Sequence, residues 1–150
     1  MAYIQTISPR LPLASDNRFG YSMLVTMRQA VNQNLKCLIL TAPGERIMDP
    51  EFGVGIEKYI FSNFGPETVR NIKVNIRQQI SKYMPFISVQ NVEISFGERS
   101  TENPDSVNAN KMFLRMDYIV QTVGISDVLN LSINQYWSLK YSHDYLILRR

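Results

Sequence analysis

Four carboxylates, Glu45, Asp49, Glu51 and Glu57, lie within thirteen positions and are the side chains best suited to chemistry. A glycosidase needs two carboxyl groups held about 5 to 10 Å apart across the scissile bond, so Glu45 with Glu51 could in principle form such a pair. A general acid also needs an apolar pocket that raises its pKa, inside a cleft that holds the glycan. Pro43, Gly44, Pro50, Gly53 and Gly55 instead mark a connector of fixed backbone with no visible cleft. The simpler reading is that these acids pair with Arg46, Lys58 or a partner's bases. Ser142-His143-Asp144 has the residue types of a triad, but neighbours in an extended chain point to opposite faces and cannot line up. One His and one Cys in the whole chain make a zinc site remote. Gly53-Val54-Gly55 lacks a third glycine and a preceding strand, so it is a poor nucleotide fingerprint. No cofactor, metal or catalytic residue is implied.

What the connector does carry is shape. An apolar run stops at Thr41, Pro43-Gly44 suits a turn in which proline presets φ and glycine accepts a positive one, and Phe52 before Gly53 looks like an apolar plug beside a tight bend. Phe52 is therefore expected to be substantially buried, with Gly44 or Gly53 at positive φ.

The elements around it follow from periodicity. The chain has 150 residues, 45% hydrophobic and 19% charged, enough for one domain burying about 70% of its unfolded surface. Residues 1–19 read as an extended arm that packs on something, and residues 20–150 as a single α+β domain with a strand-like extension from about 136. Leu24, Met27, Val31, Leu35 and Leu38 recur at spacings of three and four, predicting a helix from about Tyr21 to Leu40. Gly55 to Phe64 predicts a short helix. Gly65-Pro66-Glu67 opens a second long one with a buried stripe of Val69, Ile72, Ile76, Ile80 and Tyr83, ended by Pro85. From Ile87 the period changes to two: Val92, Ile94 and Phe96; then Met112, Leu114, Met116, Tyr118 and Val120; then Leu129, Leu131 and Ile133. Residues 97–111 read as a long hairpin loop, and Trp137 to Leu148 as a fourth strand. The fold class is thus α+β, two long helices and a short one packed on a small antiparallel sheet, with an extended N-terminal arm.

The formal charge is +3, yet the basic residues are scattered among acids. Arg70, Lys73 and Arg77 form the densest group, on one helix face. A solvated face is the first reading, a docking stripe for an acidic protein the second, and a phosphate track the third, since no aromatic residue is interleaved to stack bases. Neither nucleic acid nor membrane is expected as a partner: no apolar run approaches the roughly 20 residues that span a bilayer. No secretory leader is read at the amino terminus, where Pro9, Arg10 and Pro12 interrupt the pattern. The lone Cys37 reads as a small buried hydrophobe and suits a reducing compartment.

Thr41, Pro43, Gly44, Glu45, Arg46, Met48, Pro50, Phe52 and Gly53 together resemble the hallmark of one family: the baseplate wedge proteins of contractile phage tails and related injection machines, formerly labelled tail lysozymes. Leu11-Pro12-Leu13, Asn34-Leu35-Lys36 and Tyr59-Ile60-Phe61 extend the resemblance over roughly residues 11 to 135. Where many members carry Glu-Pro-Arg after the second long helix, this chain has Met84-Pro85-Phe86, which reads as packing in place of charge. The resemblance implies a structural subunit in the tail baseplate of a virion assembled in the host cytoplasm. Its partners would be tail sheath subunits, other wedge proteins and tail tube proteins, and it would start the sheath by accepting strands from the first sheath ring. The alternative that the old label suggests is a peptidoglycan hydrolase with Glu45 and Glu51. Strand acceptance points to the carboxy-terminal strands, Leu129, Leu131 and Ile133 and, beyond them, Tyr145, Leu146, Ile147 and Leu148.

Overall fold

The computed structural model describes residues 6–17, 20–60, 65–96, 111–122 and 124–134. The first segment folds back on the chain. Strand β1 (Ser8–Pro9) pairs with β4 (Met23–Leu24), and β2 (Ser15–Asp16) with β3 (Gly20–Tyr21), all antiparallel. Gln33 clamps this segment to the first helix, its amide accepting from Leu11 N–H at 2.8 Å and donating to the Pro9 carbonyl at 3.2 Å.

Helix α1 runs Met27–Leu40, later than its apolar spacing predicts. Thr26 caps it: the hydroxyl accepts from Gln29 N–H, and the Gln29 side chain returns to the Thr26 backbone, a reciprocal box that fixes the first turn. Leu24, which fitted the helical period, is instead buried from β4, and Met27 is 52% exposed. The short helix is a 3₁₀ turn, Ile56–Tyr59, and residues 61–64 of the predicted span lie outside the described residues. Helix α2, Pro66–Tyr83, begins and ends as predicted, with proline in its first turn and Glu67 at the positive end of its dipole. Its last residue is set by Pro85, which pushes Met84 out of helical geometry.

Strands β5 (Ile87–Phe96), β6 (Lys111–Val120) and β7 (Ile125–Asn134) form an antiparallel sheet in the order β5-β6-β7, with a bulge between Val89 and Asn91. Along β6 every second residue from Met112 to Val120 is buried. These side chains meet Val31, Leu35, Leu38 and Ile39 of α1 and Ile72, Ile76 and Ile80 of α2 in one core. Helix α2 lies against β5 and α1 against β7, so one sheet face is covered and the other carries polar residues. This is a mixed α+β fold. Of the predicted hairpin loop (97–111), Lys111 instead opens β6, and residues 97–110 lie outside the described residues, as does the predicted fourth strand (137–148).

Candidate functional site

Two regions emerge, a rigid bracket between α1 and α2 and the outer edge of β7. The bracket solves the problem of the unsatisfied carbonyls that every helix leaves at its C-terminus. Cys37 C=O accepts both the N–H and the hydroxyl of Thr41, at 3.0 and 2.6 Å. The chain then loops out and returns so that Val54 N–H meets Leu38 C=O at 3.0 Å and Gly55 N–H meets Thr41 C=O at 2.9 Å. So close a return requires glycine: a Cβ on Gly53, whose φ is +106°, would sit 2.1 Å from the Thr41 oxygen. Gly44 is also at positive φ, and its N–H spans the loop to Pro50 C=O at 2.8 Å.

The loop's polar side chains act as braces. Glu45 accepts from Ala42 N–H at 2.9 Å, and Asp49 from the Tyr83 hydroxyl at 2.9 Å. Glu51 pairs with Lys82, while Gln79 bridges Gly53 N–H and Glu51 C=O, each at 3.1 Å. Phe52 is partly buried against the core, its ring sandwiched in the bracket: Arg46 stacks 3.5 Å over its face and Tyr83 meets it edge-on at 4.9 Å. Ile47 and Met48 stand outside at 93% and 96% exposure, beside the exposed Glu45, Arg46 and Glu51. Partial burial, and secondly the charge of Glu45, push the Glu57 carboxyl above its ordinary pKa. The carboxylates of the hydrolase alternative are thus committed separately, Glu45 to the loop backbone and Glu51 to Lys82. Of the Met84-Pro85-Phe86 departure, Met84 is buried as packing, whereas Phe86 is 39% exposed and uses its carbonyl to accept from Gln121 N–H. Cys37 is half-buried.

The second region is built differently. Leu129 and Ile133 are core residues at 2% and 1% exposure, with Leu131 half-buried beside them. In an antiparallel ladder the residues of a strand alternate between bonding one neighbour and facing the other way. Val128 N–H donates to the side chain of Asp127 at 2.9 Å, away from β6, and β6 and β7 pair without a register shift. Ser126, Val128, Asn130 and Ser132 therefore direct their backbone groups outward, and among the described residues no strand pairs with them. Tyr145 to Leu148 lie outside the described residues.

A polar cluster fixes this edge to α1, and the sequence reading missed it. Tyr118, fully buried, donates to Asn32 Oδ1 at 3.0 Å, and Asp127 Oδ2 accepts from Asn32 at 2.9 Å and pairs with Arg28 at 3.4 Å. Burial and the nearby Asp127 charge push the Tyr118 phenol up to about 12. A tyrosine in a buried alternating set was the available signal, since its hydroxyl must find a partner.

A fold of two helices on a three-stranded sheet, with a Pro/Gly bracket between the helices, defines the class. Residues 25–123 match the family model described as "Baseplate wedge protein gp25", and the chain belongs to that family of structural baseplate components. A curated relative, baseplate wedge protein gp25 of Enterobacteria phage T4, is 32% identical over 59 residues, 39% of this chain and 45% of that protein's length. Among solved structures, a chain of the anti-feeding prophage baseplate aligns with a TM-score of 0.60 at 26% identity, covering 78% of this chain and 86% of its own. A protein named as a putative tail lysozyme from Geobacter sulfurreducens shares the fold, with a TM-score of 0.59 at 22% identity, covering 74% of this chain and 93% of its own.

Proposed function

We propose that this chain is a sheath initiator: a wedge subunit of a virion tail baseplate, assembled in the host cytoplasm beside the tail tube, that offers a strand acceptor to the first ring of tail sheath subunits. The observation that carries this reading is the outer edge of β7, where Ser126, Asn130 and Ser132 hold backbone donors and acceptors outward and no proline lies in the strand. Strand addition takes its affinity from main-chain hydrogen bonds and its register from alternating side chains. Leu129, Leu131 and Ile133 serve here as anchors that hold the edge still, and Tyr145, Leu146, Ile147 and Leu148 would extend the acceptor. Pro43, Gly44, Glu45, Arg46, Pro50, Phe52 and Gly53 have a structural role, and other wedge proteins pack around the bracket. Catalysis forms no part of the reading. Purified protein is expected not to cleave peptidoglycan, and turbidity loss abolished by Glu45→Gln or Glu51→Gln would overturn that.

The test is Ser132→Pro, which removes one outward donor and leaves the core untouched. Such a variant should enter baseplates, seen by electron microscopy, yet nucleate no sheath. Sheath of normal length on those baseplates would move the acceptor elsewhere. A truncation at Tyr136 that alone abolishes sheath growth would assign docking to the segment containing Tyr145 to Leu148 instead of the β7 edge.

A further inference from the structure

The cations of α2 divide between two opposite flanks. A helix turns about 100° per residue, which sets Gln79, Lys82 and Tyr83 on the flank that braces the bracket and Arg70, Lys73 and Arg77 on the other. Lys82 is consumed by Glu51, Arg28 by Asp127, Arg115 by Asp117, and Arg46 and Lys58 by aromatic rings. Arg70 and Arg77 are exposed and Lys73 half-exposed, and none of the three has a hydrogen bond, ion pair or ring partner among the described residues. Beside them Val74 stands 43% exposed. Helical rise places the charges about 4.5 and 6 Å apart along the axis, a straight row over two turns.

We infer that this flank of α2 is a docking surface for an acidic helical segment of a different protein in the assembly. An amphipathic helix carrying carboxylates at the same spacing of three and four would match the row charge for charge, with an apolar residue over Val74. A second copy of this chain does not supply that row: α1 contains no acidic residue, and Glu67 is the only one in α2. Nucleic acid fits less well. Affinity for phosphate accumulates over about 6 to 10 contacts, and this flank offers three cations with no aromatic side chain among them. The surface is separate from the β7 edge, so the inference stands or falls apart from sheath initiation.

The probe is a synthetic amphipathic helical peptide with Glu at i, i+3 and i+7, titrated by fluorescence anisotropy against the full-length chain. A single-stranded oligothymidylate serves as the competing probe. The peptide should bind, with affinity falling as salt is raised. R70E/K73E/R77E should weaken it about tenfold or more while leaving thermal melting unchanged, and R77E alone should weaken it more than K36E, an equal charge reversal at an exposed lysine that likewise has no partner among the described residues. No binding to the unaltered chain, or equal losses in R77E and K36E, would overturn the inference. Tighter binding of the oligonucleotide than of the peptide, lost in the triple variant, would reassign the flank to nucleic acid and overturn it too.

Discussion

The bracket and the β7 edge are made of the same backbone groups put to opposite use. In the bracket, Thr41, Pro50 and Leu38 carbonyls are consumed by the chain's own N–H groups, and Glu45, Asp49 and Glu51 by their neighbours. Along β7, the outward groups of Asn130 and Ser132 meet no partner strand among the described residues. The first region fixes geometry and the second leaves a valence open. In a subunit of an assembly the two belong together, because an open edge recognises a partner with least loss of entropy when everything behind it is already fixed.

That contrast can be broken most sharply by a single methyl group. Gly53→Ala forces a Cβ into the Thr41 carbonyl at positive φ and should cost about 3 to 5 kcal/mol in denaturant unfolding, whereas Gly44→Ala, also at positive φ but facing open space, should cost only about 1. Similar losses at the two glycines would mean that the close return to Thr41 does not hold the bracket together. Next in size is Phe52→Ala. A fully buried ring costs about 3 to 5 kcal/mol to truncate, and because this one is half-buried under Arg46 the loss should be about 2. A loss below about 1 kcal/mol would make the Arg46–Phe52–Tyr83 stack a surface ornament.

At the edge a more drastic change to the backbone should matter less to stability. Ser132→Pro is expected to shift unfolding by no more than about 1 kcal/mol, since the donor it deletes faces outward. A loss as large as that of Gly53→Ala would show that the edge is paired within the chain. The smallest effect concerns Glu57. Its folded-state pKa lies above the ordinary value of 4.5, so the folded chain holds this proton more tightly than the unfolded one. The associated stability is complete below the unfolded value and is lost as pH rises through the folded one. Glu57→Gln should flatten that decline and change stability at pH 7 by less than about 1 kcal/mol. An unchanged pH profile of unfolding would place the carboxyl in water.

Sequence pattern reached the sheet and the second helix because each is governed by a local rule. Strand β6 alternates without interruption from Met112 to Val120, and α2 is bounded by prolines at 66 and 85. The start of α1 was misread because Leu24 stands three residues before Met27 and so mimics helical spacing. The Thr26–Gln29 box was present in the sequence and is the stronger signal, since it satisfies donors that spacing ignores. Positive φ at Gly44 and Gly53 was legible from the turn chemistry, but the covering of Phe52 by Arg46 was not, because a cation over a ring depends on where the loop returns. For the same reason the Asn32–Tyr118–Asp127 cluster joins residues far apart in the chain that no local pattern connects.

Asp127 has one more consequence. Its second oxygen holds the Val128 N–H, the outward donor nearest the turned end of β7 after Ser126. Under the proposed strand acceptance, an arriving strand would find that rung already taken, so it would zip along Asn130 and Ser132 but meet a stop at Val128. The edge would thereby be given a phase: of the registers that differ by two residues and would otherwise be nearly equal in energy, the stop would favour one, and a ring of such subunits would seat every incoming strand at the same height.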